Sequence, residues 1–267
     1  MEPFGFIASF AMGMTLGLMG AGGAILTVPI LVYLFQVPPS IATGYSLFVV
    51  GLTALFGSIL AIRRGEINFK LGFAFAIPST IGVNISRGLI LPNLPSEVLT
   101  IHSFVVTKEI LIMTAFAIIM ILASRSMLKT RPAAGPSPVS SRPNFLIIAA
   151  QGLFVGLVAG FVGAGGGFLI IPALVILAGL SMRVAVGTSL TIIAVQSLLG
   201  FTSDVMRGTE VHWSLLLTIA GIAILGLLFG SSLAHKVKEQ KLKVLFGWFV
   251  LAMGSIILLE QFRGLFI

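Results

Sequence analysis

The chain has 267 residues, of which 57% are hydrophobic and 9% charged, with a formal net charge of +8, no cysteine and a mean hydropathy of +1.14. A globular protein of this length needs a charged exterior, so these figures exclude a soluble enzyme and point to a polytopic membrane protein. Without cysteine there are no disulfides or thiolate metal sites.

Eight apolar segments follow in order, at roughly 4–36, 41–62, 69–91 and 109–128, then 144–178, 184–204, 212–234 and 242–262. The opening MEPFGFIASF lacks the basic start and small-residue cleavage site of a signal peptide, so the first segment is expected to be retained. Basic residues fall in the short connections, where they orient a membrane protein and meet anionic headgroups, which argues against nucleic acid as a partner. The irregular stretch 92–106 has no counterpart later in the chain. Residues 124–143, SRSMLKTRPAAGPSPVSSRP, are rich in Pro and Ser and read as a linker. The expected organisation is a first transmembrane repeat over 1–123, a cytoplasmic linker over 124–143 and a second repeat over 144–267.

The halves are related by duplication. GLMGAGGAILTVPIL, from Gly17, returns as GFVGAGGGFLIIPAL, from Gly160, an offset of 143 residues. At that offset Gly13, Gly20, Gly22, Gly23, Pro29, Gly44, Ser46, Gly57, Arg64 and Gly65 fall on Gly156, Gly163, Gly165, Gly166, Pro172, Gly187, Ser189, Gly200, Arg207 and Gly208. Duplicated hydrophobic segments interrupted by glycine mark the binding site of a secondary transporter.

The first and fifth segments are too long for one span. A straight helix of about 33 residues measures about 50 Å, against a hydrocarbon core of about 30 Å. Each is cut by a glycine cluster, and each glycine weakens a helix by about 1 kcal/mol relative to alanine. Each segment is therefore one broken span or a re-entrant hairpin, with halves that reach the midplane. The basic residues favour hairpins. In that arrangement Arg63, Arg64, Lys70, Arg125, Lys129, Arg131, Arg142, Arg183, Lys236, Lys238, Lys241 and Lys243 share one side, and only Arg87, Lys108, Arg207 and Arg263 the other. Full crossing would divide them almost evenly, contrary to the positive-inside rule. Each repeat then crosses three times, so the repeats are inverted, both termini lie outside and the linker is cytoplasmic.

Unwound backbone in a bilayer survives only where it lines a cavity or is buried in protein. The half-helices that follow Gly20, Gly22 and Gly23, and Gly163, Gly165, Gly166 and Gly167, present free N–H groups and about half a positive charge each. Two such ends meeting at the midplane form an anion site without lysine or arginine. The hydroxyls of Thr43 and Ser46, with Tyr45, and of Thr188 and Ser189, with Thr191, open segments two and six and are expected to converge on the same oxyanion. Gly13/Gly17 and Gly226/Gly230 are GxxxG contacts, for which close helix packing is the simpler reading. Asn84 and Gln196 bind either other helices or a substrate. Arg87 has snorkelling to the interface as its default reading and a cavity-facing role as the alternative, Lys108 and Glu109 read as interfacial, and Asp204 is the candidate proton carrier. His102, His212 and His235 are scattered, so no metal is expected.

No nucleotide loop, HExxH or GxSxG occurs, and no enzyme activity or cofactor is expected. The double phrase, with AVGTSL at Ala185–Leu190 following the second copy, resembles the sulfite exporter TauE/SafE family of membrane transporters. Phe116, Ala117, Met120, Ala123, Ser124 and Met127 resemble a subgroup of it. Departures are Ala24 where the second copy has Gly167, and Tyr45 where it has Thr188. The resemblance implies transport of small anions such as sulfite, sulfonates and other organosulfur anions, without selecting among them.

The sequence reading is thus an all-α polytopic membrane protein of two homologous repeats, inverted, with broken or re-entrant first segments. It is an inner-membrane secondary transporter of small anions, in the export direction, working by alternating access. An anion channel, or a carrier of small carboxylates such as 2-oxo acids, is the alternative. The expected partners are the anion and the lipid bilayer, with a homodimer allowed.

Overall fold

The computed structural model describes residues 2–95, 97–101, 104–128, 145–162, 170–171, 174, 180–234 and 239–263. Helix α1, Glu2–Met19, stops at Gly20, whose φ of +66° is open to glycine at no steric cost. The chain then returns through a 3-10 stretch, Gly20–Leu26, a short α turn, Thr27–Pro29, and a π stretch, Ile30–Leu34. Pro29 removes one ladder donor, and beyond it the helix widens to π register. The segment doubles back. The rings of Phe6 and Phe35 meet edge to face with centroids 5.4 Å apart, and Gly23 seats against the backbone nitrogen of Leu16.

Helices α2, Pro39–Arg63, and α3, Phe69–Ile85, follow. The latter continues through a π turn, Ser86–Ile90, and a last turn, Leu91–Asn93. The Asn68 side chain caps α3 by accepting from the Leu71 N–H. Strands β1, Glu97–Ile101, and β2, Phe104–Thr107, form an antiparallel hairpin in the stretch read as irregular. Their VLTI and FVVT runs are β-branched enough to account for it. Next come α4, Lys108–Leu128, α5, Phe145–Val162, α6, Met182–Met206, α7, Trp213–Ala234, and α8, Glu239–Arg263. Pro39–Arg63, Phe69–Asn93, Arg183–Met206 and Trp213–Ala234 are each long and apolar enough to cross a membrane. Apart from the hairpin, the described elements are all helical, joined by short connections.

The halves pack crosswise. Helix α1 lies on α7, α3 on α5, α2 on α6 and α4 on α8. Small residues set the first two pairs. A Cβ at Gly13 would lie 2.0 Å from the Ala223 carbonyl oxygen, and one at Gly230 would lie 2.1 Å from that of Met14. A Cβ at Gly156, the α5 counterpart of Gly13, would lie 2.0 Å from the Ser79 carbonyl oxygen of α3. Here the glycines serve backbone-to-backbone packing.

Helices α2 and α6 run antiparallel. Gly44 faces Asp204, Gly51 faces Leu198, Gly57 faces Leu190 and Gly187 faces Ala61. Local geometry repeats at the offset of 143. Val37 N donates to Leu31 O at 2.9 Å and Leu180 N to Leu174 O at 3.1 Å. Gly65 and Gly208, which end α2 and α6, both have positive φ.

Candidate functional site

The antiparallel α2/α6 pair has two ends, and the polar residues divide between them. At the first, where α2 begins and α6 finishes, the π turn of α3 carries Arg87 into the protein, with 6% of its surface exposed. Its Nε donates to Asp204 Oδ1 at 2.8 Å, and its Nη2 pairs with Asp204 Oδ2. The carboxylate thus occupies one edge of the guanidinium fork. Nη1 donates to Thr43 Oγ1 and to the Gly160 carbonyl oxygen, both at 3.2 Å. Gly44 touches the pair, since a Cβ there would lie 2.9 Å from Arg87 Nη2 and 3.0 Å from Asp204 Oδ2. A second guanidinium, Arg207, donates to the Arg87 carbonyl oxygen at 2.8 Å and approaches Asp204 Oδ1 at 3.5 Å. Two cations share one carboxylate, so the cluster carries one net positive charge.

Beside this end, Tyr45 Oη donates to the Glu210 carbonyl oxygen at 3.1 Å and accepts from the His212 N–H at 3.0 Å. A cavity of about 560 Å³ opens there, lined by Phe6, Phe35, Gln36, Tyr45, His212 and Thr218 among others. Gln36, with a φ of 55°, is a left-handed non-glycine residue on its wall.

At the other end of the pair, Gly187 seats on the Glu66 carbonyl oxygen, 2.1 Å from where a Cβ would be, with Ala61 beside it at 3.0 Å. Thr188 Oγ1 accepts from the Asn68 N–H at 2.9 Å. The tip of the first broken segment comes to this end, because Gly20 packs against Val186. Gly22 lies in the same 3-10 stretch, and Gly23 is held against α1.

The expected convergence on one oxyanion is not what these positions give. From Gly44 to Ala61 is 17 residues along α2, so the ends stand about 25 Å apart at the helical rise. Thr43 and Ser46 lie at one end, Thr188 and Ser189 at the other. The first glycine cluster reaches the Thr188 end, whereas Gly160, shortly before the second, lies at the Arg87 end. The first helix tip therefore lies at the Thr188 end, away from Thr43 and Ser46. Gly163, Gly165, Gly166 and Gly167 themselves lie outside the described residues.

Hydroxyl protons near both ends are engaged by their own helices. Thr43 donates to Ser40 O, Ser46 to Thr43 O and Ser189 to Val186 O, each at 2.8 Å. Ser58 and Thr191 bond each other across α2 and α6. Of the amides, Gln196 accepts from the Ser79 hydroxyl, tying α6 to α3, and Asn84 donates to the Thr80 carbonyl. Both bonds run between helices or within one.

Arg87 departs from its default reading: it does not snorkel but is buried in an ion pair with Asp204. A signal for this lay in the duplication. At the offset of 143, Asp204 corresponds to Ala61 and Arg87 to Gly230. Each half thus places a charge where the other has a small apolar residue, which is how a pair between halves would be written. Among the described residues, no group of three His, Asp or Glu side chains could hold a metal ion.

Comparison with known proteins fits this architecture. The family model of the sulfite exporter TauE/SafE matches residues 5–257. A probable membrane transporter protein of Bacillus subtilis, YunE, is 28% identical, over 96% of this chain and 98% of its own. A probable membrane transporter protein of Xylella fastidiosa is 26% identical, over 95% of this chain and 93% of its own. One from Methanocaldococcus jannaschii is 26% identical, over 89% and 86%. No solved structure matches. Family, relatives and membrane-length helices agree, and the chain is a multi-pass membrane transporter belonging to the sulfite exporter TauE/SafE family.

Proposed function

We propose that the protein is a secondary transporter of small oxyanions, sulfite and organosulfur anions foremost, that exports them across the inner membrane by alternating access. The observation that carries this reading is the doubled-back first segment. Its arms meet at Phe6 and Phe35, and its glycine tip reaches Val186 at the far end of the α2/α6 pair. Crosswise packing of the halves, and the matched bonds of Val37 and Leu180, support a second hairpin entering from the opposite side. Broken helices related by inversion are a common carrier plan.

On this reading each hairpin tip faces the opening of the helix that carries hydroxyls. Gly20, Gly22 and Gly23 serve with Thr188 and Ser189, and Gly163, Gly165, Gly166 and Gly167 with Thr43 and Ser46. The carrier then has two half-sites, visited in turn as hairpins and helices rock. Asp204 is the proton carrier. The Arg87 end faces outward with both termini, and the linker 124–143 between the two repeats is cytoplasmic. The twelve-to-four distribution of basic residues supports that orientation.

Two experiments test the reading. Purified protein is screened by thermal shift against sulfite, thiosulfate, sulfoacetate, p-toluenesulfonate and 2-oxo acids, and stabilising anions are then followed in liposomes. Saturable uptake accelerated by anion on the opposite face is expected, whereas a rate linear in concentration would identify a channel. Gly165→Leu should abolish the stabilisation. For orientation, Glu2→Cys and Ser40→Cys are expected both to react with an impermeant thiol reagent on intact cells, and reaction of only one removes the hairpin.

A further inference from the structure

We infer that Arg87 is the charge anchor for the transported anion, and that Asp204 is the ligand which the anion displaces, taking up a proton as it leaves. The inference rests on the anion-carrier reading above and adds to it the group that holds the charge and the reason a proton moves with it.

Packing does not require the ion pair. At the opposite end of α2/α6 the fold closes over Gly187 with Ala61, and Gly230 stands in the place of Arg87. Nor does stability require it, because a buried pair roughly breaks even against well-packed apolar residues. The pair has features of a ligand site. Asp204 sits on the Nε/Nη2 edge of the guanidinium. That edge also fits two oxygens of a carboxylate, sulfite or sulfonate. The other donors already have partners, Nη1 with Thr43 Oγ1 and Gly160 O. The hydroxyl protons of Thr43 and Ser46 are likewise spent on backbone carbonyls, so among the described residues at this end the buried charged donors open to an anion are those now facing Asp204. Arg207 leaves the cluster one positive charge in excess, which draws an anion towards it.

The exchange balances. The arriving anion accepts the hydrogen bonds of the Nε and Nη2 N–H groups, which keep their protons, and the Asp204 carboxylate accepts one proton from the water on the side to which the site is open. The site then holds two guanidinium cations, a neutral carboxylic acid and the bound anion. When the anion leaves, Asp204 releases the proton and returns to Arg87. One proton and one anion thus travel together. Among the described residues, the charged groups facing Asp204 are Arg87 from α3 and Arg207 beyond the end of α6. Helix α2 brings Gly44 against it, the 3-10 stretch 20–26 packed on α6 carries no titratable residue, and the 207–212 connection, whose Thr209 N–H donates to the Asp204 carbonyl oxygen, carries Glu210 and His212.

The test uses the full chain, purified and reconstituted, with methanesulfonate as probe, because its charge is constant from mildly acidic to mildly alkaline pH. Wild-type binding is expected to tighten as the pH falls. In Asp204→Asn the competing charge is gone while a hydrogen-bonding oxygen stays on Arg87. Its affinity should be flat with pH and at least equal to that of the wild type in acid. Arg87→Gln combined with Asp204→Asn removes one charge of each sign, so the cluster keeps the single net positive charge it has in the wild type, now on Arg207. Binding should weaken roughly tenfold or more relative to Asp204→Asn at every pH, the loss typical of a hydrogen-bonded charge. A wild-type pH slope in Asp204→Asn, or affinity in the double variant equal to that of Asp204→Asn, overturns this inference and leaves the carrier reading standing. Absence of anion counterflow for every compound of the earlier panel in wild-type liposomes overturns the carrier reading and this inference with it.

Discussion

Gly44 and Gly187 hold matching positions at opposite ends of one antiparallel helix pair, and they meet different neighbours. Gly44 lies against the Arg87–Asp204 ion pair, whereas Gly187 lies against a backbone carbonyl and the methyl of Ala61. Small residues suffice to close one end, so the charges at the other answer a different need. A duplicated sequence supplies such a comparison within one molecule. Where the copies agree, the shared residue serves the fold, and where they differ, one copy has been adapted. The agreeing set includes the glycines of α1 and α5 and the positive-φ turns at Gly65 and Gly208. The differing set includes Arg87, Asp204 and Tyr45.

The largest expected effect comes from leaving one charge of the pair alone. Asp204→Ala strands the Arg87 guanidinium, and removing one partner of a buried pair costs about 3–5 kcal/mol. Thermal denaturation in detergent should register a large fall. Adding Arg87→Met should recover most of the loss, since the paired deletion leaves no uncompensated charge. If the double variant is as unstable as Asp204→Ala, the ion pair is needed for packing, and the contrast with the Gly187 end disappears.

Next in size is a methyl group placed at each glycine in turn. At Gly187 the new Cβ meets the Glu66 carbonyl oxygen at 2.1 Å, a backbone atom that cannot rotate away. Gly187→Ala should therefore cost about 3 kcal/mol, the upper part of the range for overpacking. At Gly44 the nearest atoms, at 2.9 and 3.0 Å, belong to two side chains that can shift. Gly44→Ala should cost about 1 kcal/mol while weakening anion binding through the displaced ion pair. Equal stability losses would mean that the two ends are equally rigid.

Much of this architecture was legible in the residues. Hydropathy gave the segments, and helix ends such as Arg63, Leu128 and Ala234 fall close to the expected boundaries because apolar length and turn residues act locally. Duplicated glycines disclosed both the break at Gly20 and the tight α1/α7 contact. The position of the break along the membrane normal was not legible. Length alone suggested a tip at mid-depth, but Gly20 reaches Val186, because α1 is a full 18-residue helix and its depth is fixed by docking on α7. That docking depends on two segments more than 200 residues apart in sequence. The hairpin 97–107 was missed because a short run of β-branched residues in a connection carries no helical or membrane period. For Arg87 the default reading fails and the inward-facing alternative is nearer, for a related reason. A lone arginine near a helix end snorkels by default, and its partner lies 117 residues away.

The smallest effects concern Tyr45 and Thr188, which occupy matching positions and cap matching loops. Tyr45 joins the 207–212 connection by two bonds, to Glu210 O and from His212 N, while Thr188 holds the 64–68 connection by one, from Asn68 N. Each bond contributes about 1 kcal/mol net. Tyr45→Phe therefore threatens two bonds and Thr188→Val one. Exposure alters the ranking. Glu210 is solvent-exposed, and water can replace the phenol at its carbonyl, so Tyr45→Phe should cost about 1 kcal/mol rather than two. Thr188 is fully buried beside Gly187, and Val leaves the Asn68 N–H without its partner. That loss should likewise be about 1 kcal/mol, within the range for a buried donor left unsatisfied. Near-equal melting shifts would place both residues in the same structural role despite their different chemistry. A much larger loss of anion counterflow in Tyr45→Phe, at equal stability, would instead assign Tyr45 to the adapted end, where its side chain lines a cavity with Glu210 and His212.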